Sequence, residues 1–122
     1  MTPHLYGIPN CDTVKKARAW LAERGVASEF HDFKKEGVNA EALQSWCDAL
    51  GWEKLLNRQG TTWRKLDAST QQTITDSAGA RQLMREQPSL IKRPVMDWGD
   101  EPAERFTVGF DAAAWEKRLS RA

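Results

Sequence analysis

The chain has 122 residues, with 18 basic and 17 acidic side chains and a formal net charge of +1, which is enough for one domain with a proper core. So even a balance exerts no general pull toward nucleic acid or an anionic membrane, and direct binding to either is not expected. Two cysteines make no disulfide framework, no apolar stretch approaches membrane-span length, and Pro3, His4 and the stretch from Pro9 to Lys16 interrupt any leader-like segment; a cytoplasmic protein is the expectation.

Residues 4–8 (His-Leu-Tyr-Gly-Ile) suit a short strand. Gly7, Pro9 and Asn10 then mark a turn, and residues 11–24 suit a helix with Val14, Ala17 and Leu21 on one face and Gly25 at its end. Residues 27–33 suit a second strand, and a strand–helix–strand run with short links predicts parallel pairing with a right-handed crossover.

The middle of the chain is helical. Leu43, Trp46, Cys47 and Leu50 follow the i, i+3, i+4, i+7 pattern and Gly51 closes that helix. Trp52 to Leu56 adds a short helical turn, Gly60-Thr61-Thr62 is expected to break the run, and helix is expected again over about 69–76. Ala80, Leu83, Met84 and Gln87 mark a further helix ending before Pro88.

Strand character returns at Arg93-Pro94-Val95-Met96 and, with clean alternation of Phe106, Val108 and Phe110, over Arg105–Phe110. The polar segment Asp97–Glu104 between them predicts an antiparallel hairpin. Asp111 is placed to cap a last helix with Ala112, Trp115 and Leu119 inward. The sum is α/β: a mixed four-stranded sheet, with a core from about 1–37 and 89–122 and a helical insertion from about 38–88.

Cys11 carries the chemistry. With Asn10 as N-cap it falls in the first helical turn, where free N–H groups and the helix dipole favour a thiolate. A buried core cysteine is the competing reading. Lys15, one turn on, either lowers the thiol pKa or is a solvated lysine; Arg93, before a proline, either grips an anion in two places or pairs on the surface. Val14 stands where a C-x-x-C site would have its second cysteine, and Cys47, beside Trp46 on an apolar helix face, suits an inert buried thiol. A single-thiol site needs an external thiol to finish its cycle. His4, His31 and the two cysteines show no paired zinc-ligand spacing, and no metal is expected; no phosphate-cradling or dinucleotide motif is present.

Three stretches carry a family resemblance: Tyr6-Gly7-Ile8-Pro9-Asn10-Cys11-Asp12-Thr13-Val14-Lys15-Lys16-Ala17, Gly60-Thr61-Thr62-Trp63-Arg64-Lys65-Leu66-Asp67, and Leu90-Ile91-Lys92-Arg93-Pro94-Val95. With the helical block between, the chain resembles the arsenate reductase–Spx family over nearly its whole length, and within it the YffB-type branch. The resemblance implies a thioredoxin-like fold with a helical insertion, a nucleophile at Cys11, an oxyanion- or glutathione-binding arginine at Arg93 and a cis Arg93–Pro94 peptide facing the cysteine loop. It places the second family arginine at Asn57, beside Arg58, and the third at Val108, and replaces a family histidine with Gly7. Losing guanidinium forks weakens recognition of a tetrahedral oxyanion. The reading is therefore a glutathione-dependent thiol reductase, with Arg93, Lys15 and Arg58 supplying charge and the chain beside Pro94 supplying backbone hydrogen bonds. Glutathione is a co-substrate, no cofactor is tightly bound, and glutaredoxin is a partner the resemblance allows. The alternatives are arsenate reduction and an Spx-like redox regulator that binds the RNA polymerase α subunit, whose C-x-x-C pair Val14 breaks.

Overall fold

Alternation along two central strands decides the architecture. In the computed structural model, which describes residues 2–99 and 104–120, Leu5 of β1 (His4–Gly7) and Met96 of β3 (Val95–Asp97) point to one side of the sheet, while Tyr6 and Val95 point to the other. The sheet order is β2-β1-β3-β4, with β2 at Glu29–Asp32 and β4 at Phe106–Val108. β1 pairs parallel to β2, and antiparallel pairing joins β1 to β3 and β3 to β4.

Each face is covered by helices. On the Leu5 side lie α1 (Asp12–Glu23) and α8 (Ala112–Ser120), which bring Val14, Ala17, Trp20, Leu21 and Trp115 into one buried cluster. α1 ends in a Schellman motif: Gly25, at φ +66°, donates its N–H to the Ala22 carbonyl, and Val26 donates to Leu21. On the Tyr6 side lie the helices between β2 and β3. α2 (Phe33–Glu36) is followed by α3 (Ala40–Leu50), α4 (Trp52–Leu55), α5 (Thr61–Lys65), α6 (Ala68–Thr73) and α7 (Ser77–Glu86). Their core holds Leu43, Trp46, Leu55, Met84 and Leu90.

Several boundaries differ from the sequence reading, each for a local reason. The break in the helical run falls at residues 56–60 and Thr61-Thr62 open α5, with the Asn57 side chain lying against Gly60: an added Cβ would stand 2.8 Å from Asn57 Nδ2 and push that side chain aside. α6 stops at Thr73, because Asp76 caps the next helix by accepting from the Gly79 N–H at 2.8 Å. β2 stops at Asp32, which accepts from the Lys34 N–H and turns the chain into α2. Asp97 belongs to β3 rather than to the connecting turn, since Arg105 holds it with two hydrogen bonds of 2.8 and 3.0 Å. Residues 100–103 of that predicted turn lie outside the described residues. β4 is shorter than Arg105–Phe110 because Gly109 turns out of it at φ +85°.

One connection positions the site. Ile91 forms a β-bridge with Leu56, Asn57 donates its N–H to the Leu90 carbonyl at 2.7 Å, and Lys92 donates to Leu55 at 2.9 Å. The helical block thus grips residues 90–92 from one side. Gly109 donates its N–H to the Pro94 carbonyl from the other. Between these two anchors lies the Arg93–Pro94 peptide, which is cis.

Candidate active site

The site forms where β1 ends. Pro9 and Asn10 make a turn, and Cys11, in extended conformation at φ −121° and ψ 126°, is the N-cap of α1. This corrects the placement of Asn10 as N-cap and moves Cys11 from inside the first turn to its entrance. The physical setting becomes more favourable to an anion: an N-cap side chain faces the free N–H groups of the following residues.

Cys11 is partly exposed. Desolvation pushes its thiol pKa up, but opposing contributions outweigh it: the Val14 N–H, the Arg93 side chain as donor and as charge, and the Thr13 N–H. The net pKa lies below that of an ordinary thiol. The neutral thiol closes no cap hydrogen bond of full geometry, so these donors act on the sulfur chiefly once it carries charge.

Arg93 is half-buried and held by its own segment. Its Nη1 donates to the Ser89 carbonyl at 2.9 Å and to the Ile91 carbonyl at 3.2 Å. Its Nε is buried and has no hydrogen-bond partner, a costly state for a guanidinium donor. The stem of Arg93 lies against the end of β1, with its Cβ 3.8 Å from where a Gly7 Cβ would be. Pro94 is buried, and one step beyond the Tyr6–Val95 pair in the β1–β3 register sets it opposite Gly7. Cys11, Arg93 and Pro94 therefore share one end of the sheet. The Arg93 main-chain N–H and C=O pair with no other backbone group among the described residues.

Lys15 and Arg58 are both exposed. The Lys15 N–H donates to the Cys11 carbonyl at 2.9 Å, but its side chain is exposed and lines a shallow depression with Arg18, Ala22 and Val26. Arg58 is exposed, with its guanidinium 5.3 Å from the centre of the Trp52 ring. The groups that most favour the Cys11 thiolate are the Val14 and Thr13 amides and the Arg93 side chain. Cys47 is buried in the helical core, where burial raises its thiol pKa in spite of a Ser77 hydrogen bond and the Arg81 charge.

Sequence reasoning expected free helix N–H groups at the sulfur but did not single out those of Val14 and Thr13. The Pro9-Asn10 turn was the signal that could have found them, because a helix begins only where φ and ψ turn helical, one residue after the turn's exit at Cys11. Linear spacing also missed that parallel pairing brings His4 and His31, 27 residues apart, to 2.8 Å.

This arrangement can ionise a thiol at an accessible position and offer a buried cationic donor to an anionic ligand beside it. Known proteins with the same architecture narrow its meaning. The solved structure of a YffB protein superposes with a TM-score of 0.88 at 49% identity, covering 97% of this chain and 99% of the other. An arsenate reductase (ArsC) related protein from Brucella melitensis gives 0.73 at 46% identity over 98% and 95% of the two chains. An uncharacterized protein of Haemophilus influenzae is 40% identical over 92 residues, 75% of this chain and 80% of its own. The ArsC family model matches residues 6–118. With the family model spanning most of the chain and the mixed sheet and helical insert matched in the solved structures, the chain belongs to the ArsC family and has that family's thioredoxin-like fold.

Proposed function

We propose that this arsenate-reductase-related protein is a glutathione-dependent thiol–disulfide reductase that works with a single nucleophile. One observation carries the reading. A partly exposed thiol with a lowered pKa lies at a helix entrance, acted on by a guanidinium whose buried Nε has no partner. An anionic peptide thiol supplies both missing components: a carboxylate for Arg93 and a backbone for the unpaired main chain beside Pro94.

The cycle follows from the single sulfur. Cys11 thiolate attacks one sulfur of a substrate disulfide, forming a Cys11 mixed disulfide and expelling the other sulfur as thiolate. Glutathione thiolate then attacks the sulfur bonded to Cys11, restoring the Cys11 thiolate and carrying away the remaining half as a glutathione disulfide. Where the substrate is itself a glutathione mixed disulfide, the final product is oxidised glutathione. Each cycle consumes one glutathione thiol, releases one substrate thiol and breaks one disulfide while forming another; with any other substrate a second glutathione then reduces the resulting mixed disulfide and leaves as oxidised glutathione, each thiol proton going to solvent or to the expelled thiolate. Val14 leaves no second thiol at the usual spacing to resolve the intermediate internally, and Cys47 is buried in another part of the molecule. A reduced cytoplasm would supply the glutathione.

The test is exchange with a glutathione-capped peptide disulfide, followed by mass spectrometry of the protein. The expected result is glutathione-dependent turnover and a single glutathione adduct on Cys11, both absent in Cys11→Ser. Turnover unchanged in Cys11→Ser, or the adduct on Cys47 alone, overturns the proposal.

A further inference from the structure

A second cluster of donors lies on the β1–β2 pair, away from the cysteine loop. His4 and Glu29 are register partners, and His31 pairs with Tyr6, so all four residues share one sheet face. His4 Nδ1 lies 2.8 Å from His31 Nε2. Behind each ring stands a carboxylate: Glu29 Oε2 is 3.2 Å from His4 Nε2, and Glu36 Oε1 is 3.1 Å from His31 Nδ1.

Counting protons exposes a deficit. Two neutral imidazoles carry two N–H groups, but the chain of contacts Glu29–His4–His31–Glu36 has three links, and each link needs one donor. If both rings donate outward to the carboxylates, the facing nitrogens present two lone pairs to each other at 2.8 Å. The rings meet edge to edge, because their centroid separation of 5.0 Å is the nitrogen contact plus one ring radius on each side and their planes differ by only 18°. Both lone pairs therefore converge on the gap between the rings. A shared proton or a metal ion would satisfy both lone pairs, and two carboxylates stand ready to balance its charge.

We propose that His4 Nδ1, His31 Nε2 and a carboxylate oxygen of the exposed Glu29, swung over from His4 Nε2, bind a divalent transition-metal ion of the zinc class. One ligand atom from each of the three residues can be chosen so that all lie within 4.8 Å of one another. Imidazole nitrogens with one carboxylate suit Zn²⁺, Ni²⁺ or Cu²⁺ rather than Ca²⁺ or Mg²⁺. Metal–nitrogen bonds near 2.0–2.1 Å with tetrahedral angles put two nitrogens about 3.3 Å apart, so the rings need to part by about 0.5 Å and to turn out of their head-on alignment until both lone pairs meet at the ion. Both imidazoles are about a quarter exposed, at 26% and 28%, which leaves them room to turn and leaves the ion a route in. Glu36 then acts from outside the coordination sphere, fixing the His31 tautomer through Nδ1–H. The ion would clip β1 to β2 and stabilise the folded chain by its binding free energy.

The experiment uses a tag-free Cys11→Ser/Cys47→Ser chain, so that no thiolate competes, stripped with chelator. Zn²⁺ is titrated calorimetrically and Co²⁺ by its visible absorption. The expected result is one ion per chain with micromolar or tighter affinity, a raised Tm with Zn²⁺, at least tenfold weaker binding in His4→Gln and in His31→Gln, and about tenfold weaker binding in Glu36→Gln. Near-ultraviolet circular dichroism confirms that each variant is folded, and His4→Asn and His31→Asn replace any that is not. No uptake, as expected if the facing rings merely share a proton, overturns the proposal. So does uptake that the histidine substitutions leave unchanged.

Discussion

Gly7 and Val14 are locked together: a Cβ added to Gly7 would stand 2.8 Å from Val14 Cγ2, and Val14 is fully buried. The strand end and the first turn of α1 approach this closely only because position 7 has no side chain. Val14 is β-branched and stiff, so it yields poorly. Gly7→Ala is therefore expected to cost about 1–3 kcal/mol by overpacking. Val14→Ala in the same chain should recover part of that loss, and a double-mutant cycle of denaturant midpoints measures the coupling. Additive effects would contradict the contact.

The pH dependence of stability has a definite sign. Cys11 ionises more readily in the folded chain than in a free thiol, with desolvation opposing and the Val14 amide and Arg93 favouring the thiolate. A depressed acid pKa adds stability as pH rises through the folded value; the gain is complete above the unfolded value of about 8.5 and is lost as pH falls. Cys47 acts the other way, since burial raises its pKa and the folded state resists its ionisation. In a Cys47→Ser background, urea midpoints should rise toward pH 8.5 relative to Cys11→Ser/Cys47→Ser, and thiolate absorbance should titrate below about 8.5.

Much of the fold was legible in the sequence because single elements leave local marks. The apolar spacing of Leu43, Trp46 and Cys47 and the Gly51 stop gave α3, and strand–helix–strand order gave parallel β1 and β2. What escaped depends on contacts between distant residues. Asp97 looks like a turn residue until Arg105, eight positions on, pairs with it and keeps it in the strand. The break at Gly60 was legible, but not that the Asn57 side chain fills the space beside it. At the site, the types of Cys11 and Arg93 could be read in advance. The orphaned Arg93 Nε could not, because it follows from Nη1 being taken by the Ser89 and Ile91 carbonyls.

Arg93 should be separable into charge and geometry. Arg93→Lys keeps a cation but loses the planar fork, whereas Arg93→Ala loses both. Both substitutions are expected to raise the Cys11 pKa, Ala more than Lys, because charge and hydrogen bonding from Arg93 both favour the thiolate. If Arg93 also holds a glutathione carboxylate, losing a charge-assisted hydrogen bond worth about 1.5–3 kcal/mol raises the glutathione concentration at half-maximal rate by about 10- to 150-fold. Steady-state kinetics at several glutathione concentrations distinguish this from a pKa effect, which high pH would rescue.

Cys47→Ser should leave turnover nearly intact. The thiol is 6% exposed, lies in the helical core and has a raised pKa because of burial, so it is neither accessible nor nucleophilic at neutral pH. The Ser77 side chain gives the new hydroxyl a partner, which limits the cost of a buried polar atom. Inactivation comparable to Cys11→Ser in a folded Cys47→Ser protein would refute the single-thiol cycle.

Trp115 tests how firmly α8 supports the cysteine loop. It is 2% exposed and makes edge-to-face contacts with Trp20, Trp98 and Phe110 at centroid distances of 5.8, 5.2 and 4.8 Å. Removing it opens a cavity in the cluster that also holds Leu5, Val14 and Met96. Trp115→Ala is expected to cost about 3–5 kcal/mol, and Trp115→Phe less, because Phe retains part of the volume and the ring contacts. Val14 sits in the same cluster and supplies an amide to the Cys11 sulfur, so loosening should reach the site. Trp115→Ala should raise the Cys11 pKa at temperatures well below its Tm, as read by thiolate absorbance. A large loss of stability with an unchanged thiol pKa would mean that α1 is held in place by β1 and Leu21 rather than by the aromatic cluster.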